Sequence, residues 1–170
     1  MAKMEFTQND FDEVKILAGT INKIDRMDED YMNAVSDEIF ALQPFFLTVL
    51  LGYSYDVSPE ELEEIMKIYF LVWEYFRSNP NVRNRQVTES FFSKIQQKNI
   101  EMLKYSDGEP EENERLEIYS YDLQNIKSKS LLAAIFFRFN ERTILVNMDT
   151  NKKGAVLIGI KSFVECFEKI

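Results

Sequence analysis

Histidine is absent from this 170-residue sequence, and its absence excludes more chemistry than any other feature of the composition. Without imidazole there is no histidine general base, no Ser-His or Cys-His nucleophile, and no histidine-based zinc or haem site. The Glu-x-x-His motif of di-iron bundle proteins is excluded for the same reason. The remaining alternatives are carboxylate chemistry with a hard metal ion, or no catalysis.

Cysteine and positive charge are also scarce. Cys166 is the one cysteine, so no internal disulfide can form, and its late helical position is typical of a small buried apolar side chain. The formal net charge of -9 and the pI near 4.7 oppose binding to a phosphate backbone or an anionic membrane surface. We therefore expect a cytoplasmic protein, in a compartment that keeps thiols reduced, with no nucleic-acid partner and no membrane contact.

A long hydrophobic run is the third missing feature. The longest apolar stretch, Ile39 to Tyr53, is interrupted by Gln43 and Pro44 and is shorter than the roughly 20 residues that cross a bilayer. Residues 1–15 lack a continuous apolar core and carry acidic side chains early, so we expect no signal peptide. A chain of this length that is 45% hydrophobic is sufficient for one core, and we expect a single helical domain over residues 1–170.

The clearest element that the sequence does contain is a helix from Ser58 to Phe76. Ser58 suits the N-cap, Pro59 the first helical position, and Glu61 the third position of a capping box. Apolar residues then recur at steps of three or four, which places them on one buried face: Leu62, Ile65, Met66, Tyr69, Phe70, Trp73 and Phe76. From Ile68 onward further apolar residues widen this face, so we expect the second half of the helix to be covered on two sides.

Two helices are predicted before this one. The first, residues 11–25, is capped by Asn9 or Asp10 and carries an apolar stripe made of Phe11, Val14, Leu17, Ala18, Ile21 and Ile24. The second starts at about Tyr31 and meets Pro44, which cannot donate to the preceding turn. Either the helix kinks there, or a separate short helix runs over residues 44–51; Gly52 ends it in both cases. We expect this element to form an antiparallel hairpin with residues 58–76 at the centre of the core.

Three further helices are predicted after residue 76. They cover about residues 87–105, 122–142 and 150 onward. Residues 106–114, rich in Glu and without apolar side chains, are predicted to form an exposed acidic loop. Residues 116–121 are either a short extended piece or the start of the next helix, which we favour, and residues 144–148 form a connector of undefined type. The fold class is therefore all-α, an irregular antiparallel bundle of five or six helices.

Three glutamates at the start of the central helix form the only metal-binding pattern that we identify. Glu60, Glu61 and Glu64 have the spacing E-E-x-x-E, which suits Mg²⁺ and resembles the first metal motif of the all-α nucleotide pyrophosphohydrolases. That resemblance implies a Mg²⁺-dependent hydrolase of a phosphorylated small molecule. The family also requires E-x-x-D on a following helix, but Glu74 is followed by Arg77 and Glu89 by Phe92. We favour the structural explanation that acidic residues at a helix start interact with its dipole.

Two other groups of residues are candidates for recognition. The only basic cluster of note contains Arg77, Arg83 and Arg85, which can receive an anion or an acidic partner through their guanidinium donors. Tyrosines in or near loops can form a contact surface, since exposed aromatic residues often anchor interfaces, or can cover the core instead. These tyrosines are Tyr53, Tyr55, Tyr119 and Tyr121.

The favoured function is a non-catalytic helical module for protein interaction or regulation. The 14% aromatic content and the apolar stripe on every helix leave hydrophobic surface for a protein partner or for self-association. The alternative is the Mg²⁺-dependent hydrolase, with Glu60, Glu61 and Glu64 as ligands. We assign no catalytic residue and no cofactor.

Overall fold

The computed structural model describes residues 7–108 and 125–170, and within these ranges every regular element is a helix. The all-α bundle predicted from the sequence is thus confirmed. None of the described helices is long and apolar enough to cross a membrane. In chain order the helices are α1 (Gln8–Asp25), α2 (Glu29–Leu42), α3 (Pro44–Gly52), α4 (Pro59–Phe76), α5 (Pro80–Asn84), α6 (Glu89–Gly108), α7 (Lys129–Glu141), α8 (Thr143–Val146) and α9 (Thr150–Lys169).

Helix α4 is the centre of the bundle. It starts as predicted, because the Ser58 side chain accepts from the backbone N–H of Glu61 while the Glu61 carboxylate accepts from the N–H of Ser58. From Ile68 to Trp73 six successive residues are buried, so both sides of this part of the helix are covered. The helices packed around it are α1, α3, α7, α8 and α9.

Residues 43 and 44 divide the predicted second helix into two separate helices. Gln43, at φ -137° and ψ 65°, ends α2, and Pro44 occupies the first turn of α3. The Gln43 side chain is buried and donates to the carbonyls of Val82 and Arg85, both at 2.6 Å, while its own carbonyl accepts from Val87 N–H at 2.9 Å. The break between α2 and α3 is therefore fixed by hydrogen bonds to α5 and to the segment that connects α5 with α6.

Helix α3 packs against α4 as predicted, but the C-terminal helix contributes to the same core. The Phe46 ring stacks on Tyr69 with their centroids 4.7 Å apart, and Phe163 of α9 packs edge-on against Phe46 at 4.8 Å. Phe163 also stacks on Phe92 at 4.2 Å, within the extensive contact between α6 and α9. The centre is thus a cluster of aromatic rings from four helices, and a single hairpin does not account for it.

Helix α1 differs from its prediction in its cap and in its buried face. Thr7, and neither Asn9 nor Asp10, caps the helix. Leu17 and Ile24 are buried as expected, but three of the six residues in the predicted stripe are exposed: Phe11, Val14 and Ala18. The helical period was correct, but no element among the described residues covers that side of the first two turns.

The predicted boundaries on either side of residues 109–124 were wrong in two places. Helix α6 continues through Gly108, where a loop was expected to have begun at Ser106. Helix α7 begins at Lys129, later than residue 122. The residues just before it are not helical, and the Glu168 carboxylate of α9 holds them by accepting from the backbone N–H of Ser128 at 2.6 Å. The rest of the acidic loop and residues 116–121 lie outside the described residues. The connector of undefined type contains the one-turn helix α8.

Gly159 lies where α9 passes the turn that follows α3. A Cβ atom on Gly159 would lie 2.5 Å from the hydroxyl oxygen of Tyr53, which is hydrogen-bonded to that of Tyr69 at 3.0 Å. We predict that Gly159→Ala lowers the free energy of unfolding by about 1–3 kcal/mol, because the packed Tyr53 ring has to move. Urea denaturation followed by the fluorescence of Trp73, the one tryptophan, measures this change.

Gly19 provides the matched control. It is also inside a helix, but a Cβ atom there meets nothing within 4 Å. We expect Gly19→Ala to raise the free energy of unfolding by about 0.5–1 kcal/mol through helix propensity alone. If Gly159→Ala were stabilising to the same extent, the close contact with Tyr53 would be refuted.

Candidate functional site

The three glutamates of the candidate metal motif make separate structural contacts. The Glu61 carboxylate completes the N-cap of α4. Glu64 is 8% exposed and forms ion pairs with Arg138 at 3.4 Å and with Lys67 at 3.6 Å, while Glu60 faces solvent. Over the described ranges, no three or more Asp, Glu or Cys side chains are grouped so that they could hold a metal ion. Glu61 and Glu64 thus serve the fold, and the three carboxylates share no common centre.

Glu64 belongs to an ion-pair cluster that joins α1, α4 and α7. Arg138 is 5% exposed and its guanidinium donates to the carboxylates of Asp25 and Glu64; Arg142 also pairs with Asp25, at 2.7 Å. Burial on its own raises the pKa of Asp25, but the hydrogen bonds and charges of Arg138 and Arg142 outweigh it, and the pKa is lowered. The sequence analysis missed this cluster, because Arg138 stands in an apolar run and its partners are far away in the chain.

The lowered pKa of Asp25 gives a prediction for acid stability. The ion pairs of Asp25 contribute fully above the pKa that this carboxyl has in the unfolded chain, and the contribution is lost as the pH falls through the lower pKa of the folded state. We predict that Asp25→Asn lowers the free energy of unfolding at neutral pH by about 1–2 kcal/mol, less than for a fully buried pair because Asp25 retains solvent contact. The difference from wild type should shrink in strong acid.

Urea titrations at neutral and strongly acidic pH measure this difference. Asp12→Asn is the control, since Asp12 is an exposed residue of the same helix and only accepts a hydrogen bond from Gln8. A loss for Asp25→Asn that is equal at both pH values would contradict the ion-pair explanation.

The predicted basic cluster is divided between two places. Arg77 and Arg83 both donate to Glu38, and Arg77 also donates to Glu74 at 3.2 Å. Arg85 instead donates to the backbone carbonyl of Ile170 at 3.2 Å. Two of the three guanidiniums are therefore already paired with carboxylates of the same chain. A role in binding an anion or a partner stays a prediction, and these pairs compete with it.

A second buried ion cluster lies between α6 and α9. Glu165 is 2% exposed and accepts from Lys98 at 2.8 Å and from Lys161 at 2.6 Å. Burial raises the pKa of Glu165, but the hydrogen bonds from both lysines lower it by more, so the carboxylate stays charged. Asn99 donates to Ser162 beside it at 3.0 Å. This cluster aligns the two helices.

A cleft of about 570 Å³ lies between α1, the end of α4 and the start of α7. Three carboxylates line it, from Glu13, Glu74 and Glu168, together with Tyr75. Burial, and then the charges of Glu13 and Glu168, raise the pKa of Tyr75. All three carboxylates are engaged: Glu168 accepts from Ser128 N–H, Glu74 accepts from Tyr31 and Arg77, and Glu13 interacts with the Tyr75 hydroxyl. The lining also includes the apolar side chains of Ile16, Leu17 and Phe76, and the acids of the cleft hold neighbouring helices together.

An exposed apolar surface lies on the outer side of α3. We call it the α3 face, and it consists of Phe40 at the end of α2, Thr48, Leu51, and Tyr55 in the turn after α3. Phe40 is 68% exposed, Leu51 57% and Tyr55 91%, while the opposite side of α3 buries Phe46 and Leu50. The Thr48 hydroxyl donates to the Pro44 carbonyl, so this face is almost entirely apolar.

The surroundings of the α3 face are strongly acidic. No charged residue occurs from Ile39 to Tyr55, whereas the longer stretch from Met27 to Met66 contains ten acidic residues and no Lys or Arg. Asp37 lies one helical turn before Phe40, and Asp56 directly follows Tyr55. Both carboxylates are exposed, and neither forms an ion pair or side-chain hydrogen bond with a described residue. An uncharged apolar surface is thus flanked by unpaired negative charges.

The candidate tyrosines have different roles. Tyr55 belongs to the α3 face, but Tyr53 is half-buried and its hydroxyl is hydrogen-bonded to Tyr69. Tyr119 and Tyr121 lie outside the described residues. The sequence analysis assigned the whole apolar run that contains α3 to the core, and it missed that one side remains exposed. The signal available was the absence of any charged residue from α3 and of any polar side chain in it other than Thr48.

Comparisons of the chain with protein-family models, with curated proteins and with solved structures find no match.

Proposed function

We propose that this chain is a non-catalytic protein-interaction module and that the α3 face is its binding surface. The observation that carries the proposal is the exposure of three large apolar side chains in an uncharged stretch of the chain: Phe40 near the end of α2, Leu51 on α3 and Tyr55 in the turn that follows. A helix that is apolar on all sides is normally buried on all sides. The described residues leave Thr48 and Leu51 of α3 exposed together with Phe40 and Tyr55, and contact with another protein would bury these apolar side chains.

The composition of the face supports the same proposal. Centres of protein interfaces are depleted in charged residues and enriched in aromatic ones, and the few side chains that dominate binding are often Tyr or other large residues. The α3 face has two aromatic rings, one leucine and no charge. It also lies on a rigid element, because buried Gln43 and Phe46 fix the start of α3.

The enzyme alternative receives less support. Its required ligands, Glu61 and Glu64, already cap α4 and balance Arg138. The proposal includes a cytoplasmic location, because the single cysteine, Cys166, is buried as a free thiol, and burial raises its pKa to about 12. Such a thiol is unreactive and suits a reducing compartment.

Site-specific photo-crosslinking tests the binding surface. A photoreactive phenylalanine at position 55 should form adducts with a partner in cells that produce the protein, because the Tyr55 ring is the most exposed part of the face. Excess wild-type chain should suppress these adducts, but excess of the Phe40→Gln, Leu51→Gln double variant should not. The same probe at Ser93, an exposed residue of α6, is the control for position. Equal adducts at both positions, or suppression by the double variant, would refute the surface.

The same double variant separates binding from folding. We expect each substitution to change the free energy of unfolding by less than about 1 kcal/mol, because both side chains are mostly in solvent. Phe46→Ala, on the buried side of α3, should lower it by about 3–5 kcal/mol. The comparison is made by urea denaturation with Trp73 fluorescence. A large loss for the double variant would show that the α3 face stabilises the fold and is not available for a partner.

A further inference from the structure

The charges around the α3 face specify what binds there, if the proposed function holds. We infer that the occupant is an amphipathic helix of another protein, with an apolar side that carries lysine or arginine at both ends. The inference rests on the proposed function and adds the chemistry of the partner. It follows from the exposure of Asp37 and Asp56, which lie within three residues of Phe40 and Tyr55 in the chain and form no ion pair with a described residue.

The apolar part of the face sets the size of the occupant. Helix α3 has nine residues and is therefore about 13 Å long, and Phe40 and Tyr55 extend the apolar surface beyond both ends. A partner helix of about three to four turns covers this length, with apolar residues at every third or fourth position facing Leu51. A helix satisfies its own backbone hydrogen bonds, and the α3 face has no polar side chain other than Thr48 and the Tyr55 hydroxyl with which to satisfy them.

The ends of the face set the charge of the occupant. A neutral partner that covers Phe40 and Tyr55 takes water away from Asp37 and Asp56 and leaves their carboxylates without compensation, which is unfavourable. A cationic side chain at each end removes that penalty and pairs with carboxylates that have no partner among the described residues. The net charge of -9 also attracts a basic partner from a distance and speeds its association.

A second copy of the chain fits the face less well. In a two-fold contact the same patch is used on both copies, so the acidic ends of one face meet only the acidic ends of the other. No Lys or Arg occurs between Met27 and Met66 to relieve this repulsion. Charge complementarity therefore favours a different, basic protein over self-association.

The test uses two synthetic helical peptides of about 16 residues, the length of roughly four turns. Both have leucines on one side and alanines elsewhere, and they carry at each end either two lysines or two glutamates. Binding of the fluorescently labelled peptides to the full chain is measured by anisotropy at low and near-physiological salt. We expect the lysine peptide to bind, with an affinity that falls as salt increases, and the glutamate peptide not to bind.

Four variants of the chain locate the binding. Phe40→Gln with Leu51→Gln should raise the Kd of the lysine peptide at least about 30-fold, as expected for the loss of two large apolar contacts. Asp37→Asn with Asp56→Asn should raise it about fivefold, as expected for two rim charges. Two matched controls should leave it unchanged: Ile16→Gln with Phe137→Gln, which removes equally exposed apolar side chains, and Asp12→Asn with Glu141→Gln, which removes two distant exposed charges.

The outcomes separate this inference from the proposed function. Equal binding of both peptides at the α3 face would refute the basic partner and leave the interaction surface in place. If Asp37→Asn with Asp56→Asn and Asp12→Asn with Glu141→Gln weakened binding of the lysine peptide equally, the net charge of the chain alone would explain that binding. This result would also refute the basic partner and leave the interaction surface in place. Sedimentation that shows a dimer, abolished by Phe40→Gln with Leu51→Gln, would replace the basic partner with a second copy. Lysine-peptide binding that is unchanged in that double variant would refute the α3 face itself.

Discussion

The fold depends on the complete burial of the second half of α4. Six successive residues from Ile68 to Trp73 are out of contact with solvent, so this helix needs neighbours on both sides along about two turns. Each surrounding helix contributes one apolar face to this requirement: α3 through Phe46, and α9 through Phe163. The bundle is irregular because its helices are arranged around one central helix and do not pair in a simple hairpin.

The burial of α4 also explains why the α3 face stays exposed. Helix α3 is only nine residues long, and its Phe46 packs on Tyr69 and Phe163 while Thr48 and Leu51 stay exposed. An ordinary amphipathic helix would have polar residues on that outer side. Here the outer side carries Leu51, which lies between Phe40 and Tyr55 in the chain. These three exposed side chains contribute little to the core. The surplus of apolar surface is the physical basis of the proposed function.

Much of the fold was predictable because helix caps and helical periods are local signals. The capping box of α4, the break at Pro44 and the end of α3 at Gly52 are encoded within a few residues of where they act. The period of α1 was equally clear, but periodicity shows only that residues share a side, and not whether a neighbour covers that side. Phe11 and Val14 are therefore exposed although they lie in line with the buried Leu17.

The buried polar contacts were not predictable, because their partners are distant in the sequence. Gln43 satisfies three backbone groups in residues 82–87, and Arg138 reaches Asp25 from more than a hundred residues away. Their sequence neighbours are apolar, so the sequence alone indicates that Gln43 interrupts an apolar segment and that Arg138 is an exposed charge. The same limit applied to the candidate site: the acidic pattern at Glu60 to Glu64 was visible, whereas the exposed side of α3 depends on which helices happen to cover it.

Hydrogen exchange of the backbone amides, with and without the lysine-ended peptide, tests the central claim most directly. In the free chain the amides of residues 68–73 should exchange most slowly, because they open only when the bundle unfolds. On addition of the peptide, the account predicts slower exchange confined to residues 40–56, with residues 68–73 unchanged. Slower exchange around the acidic cleft at Glu13 and Tyr75, with none at residues 40–56, would contradict the assignment of the α3 face as the binding surface.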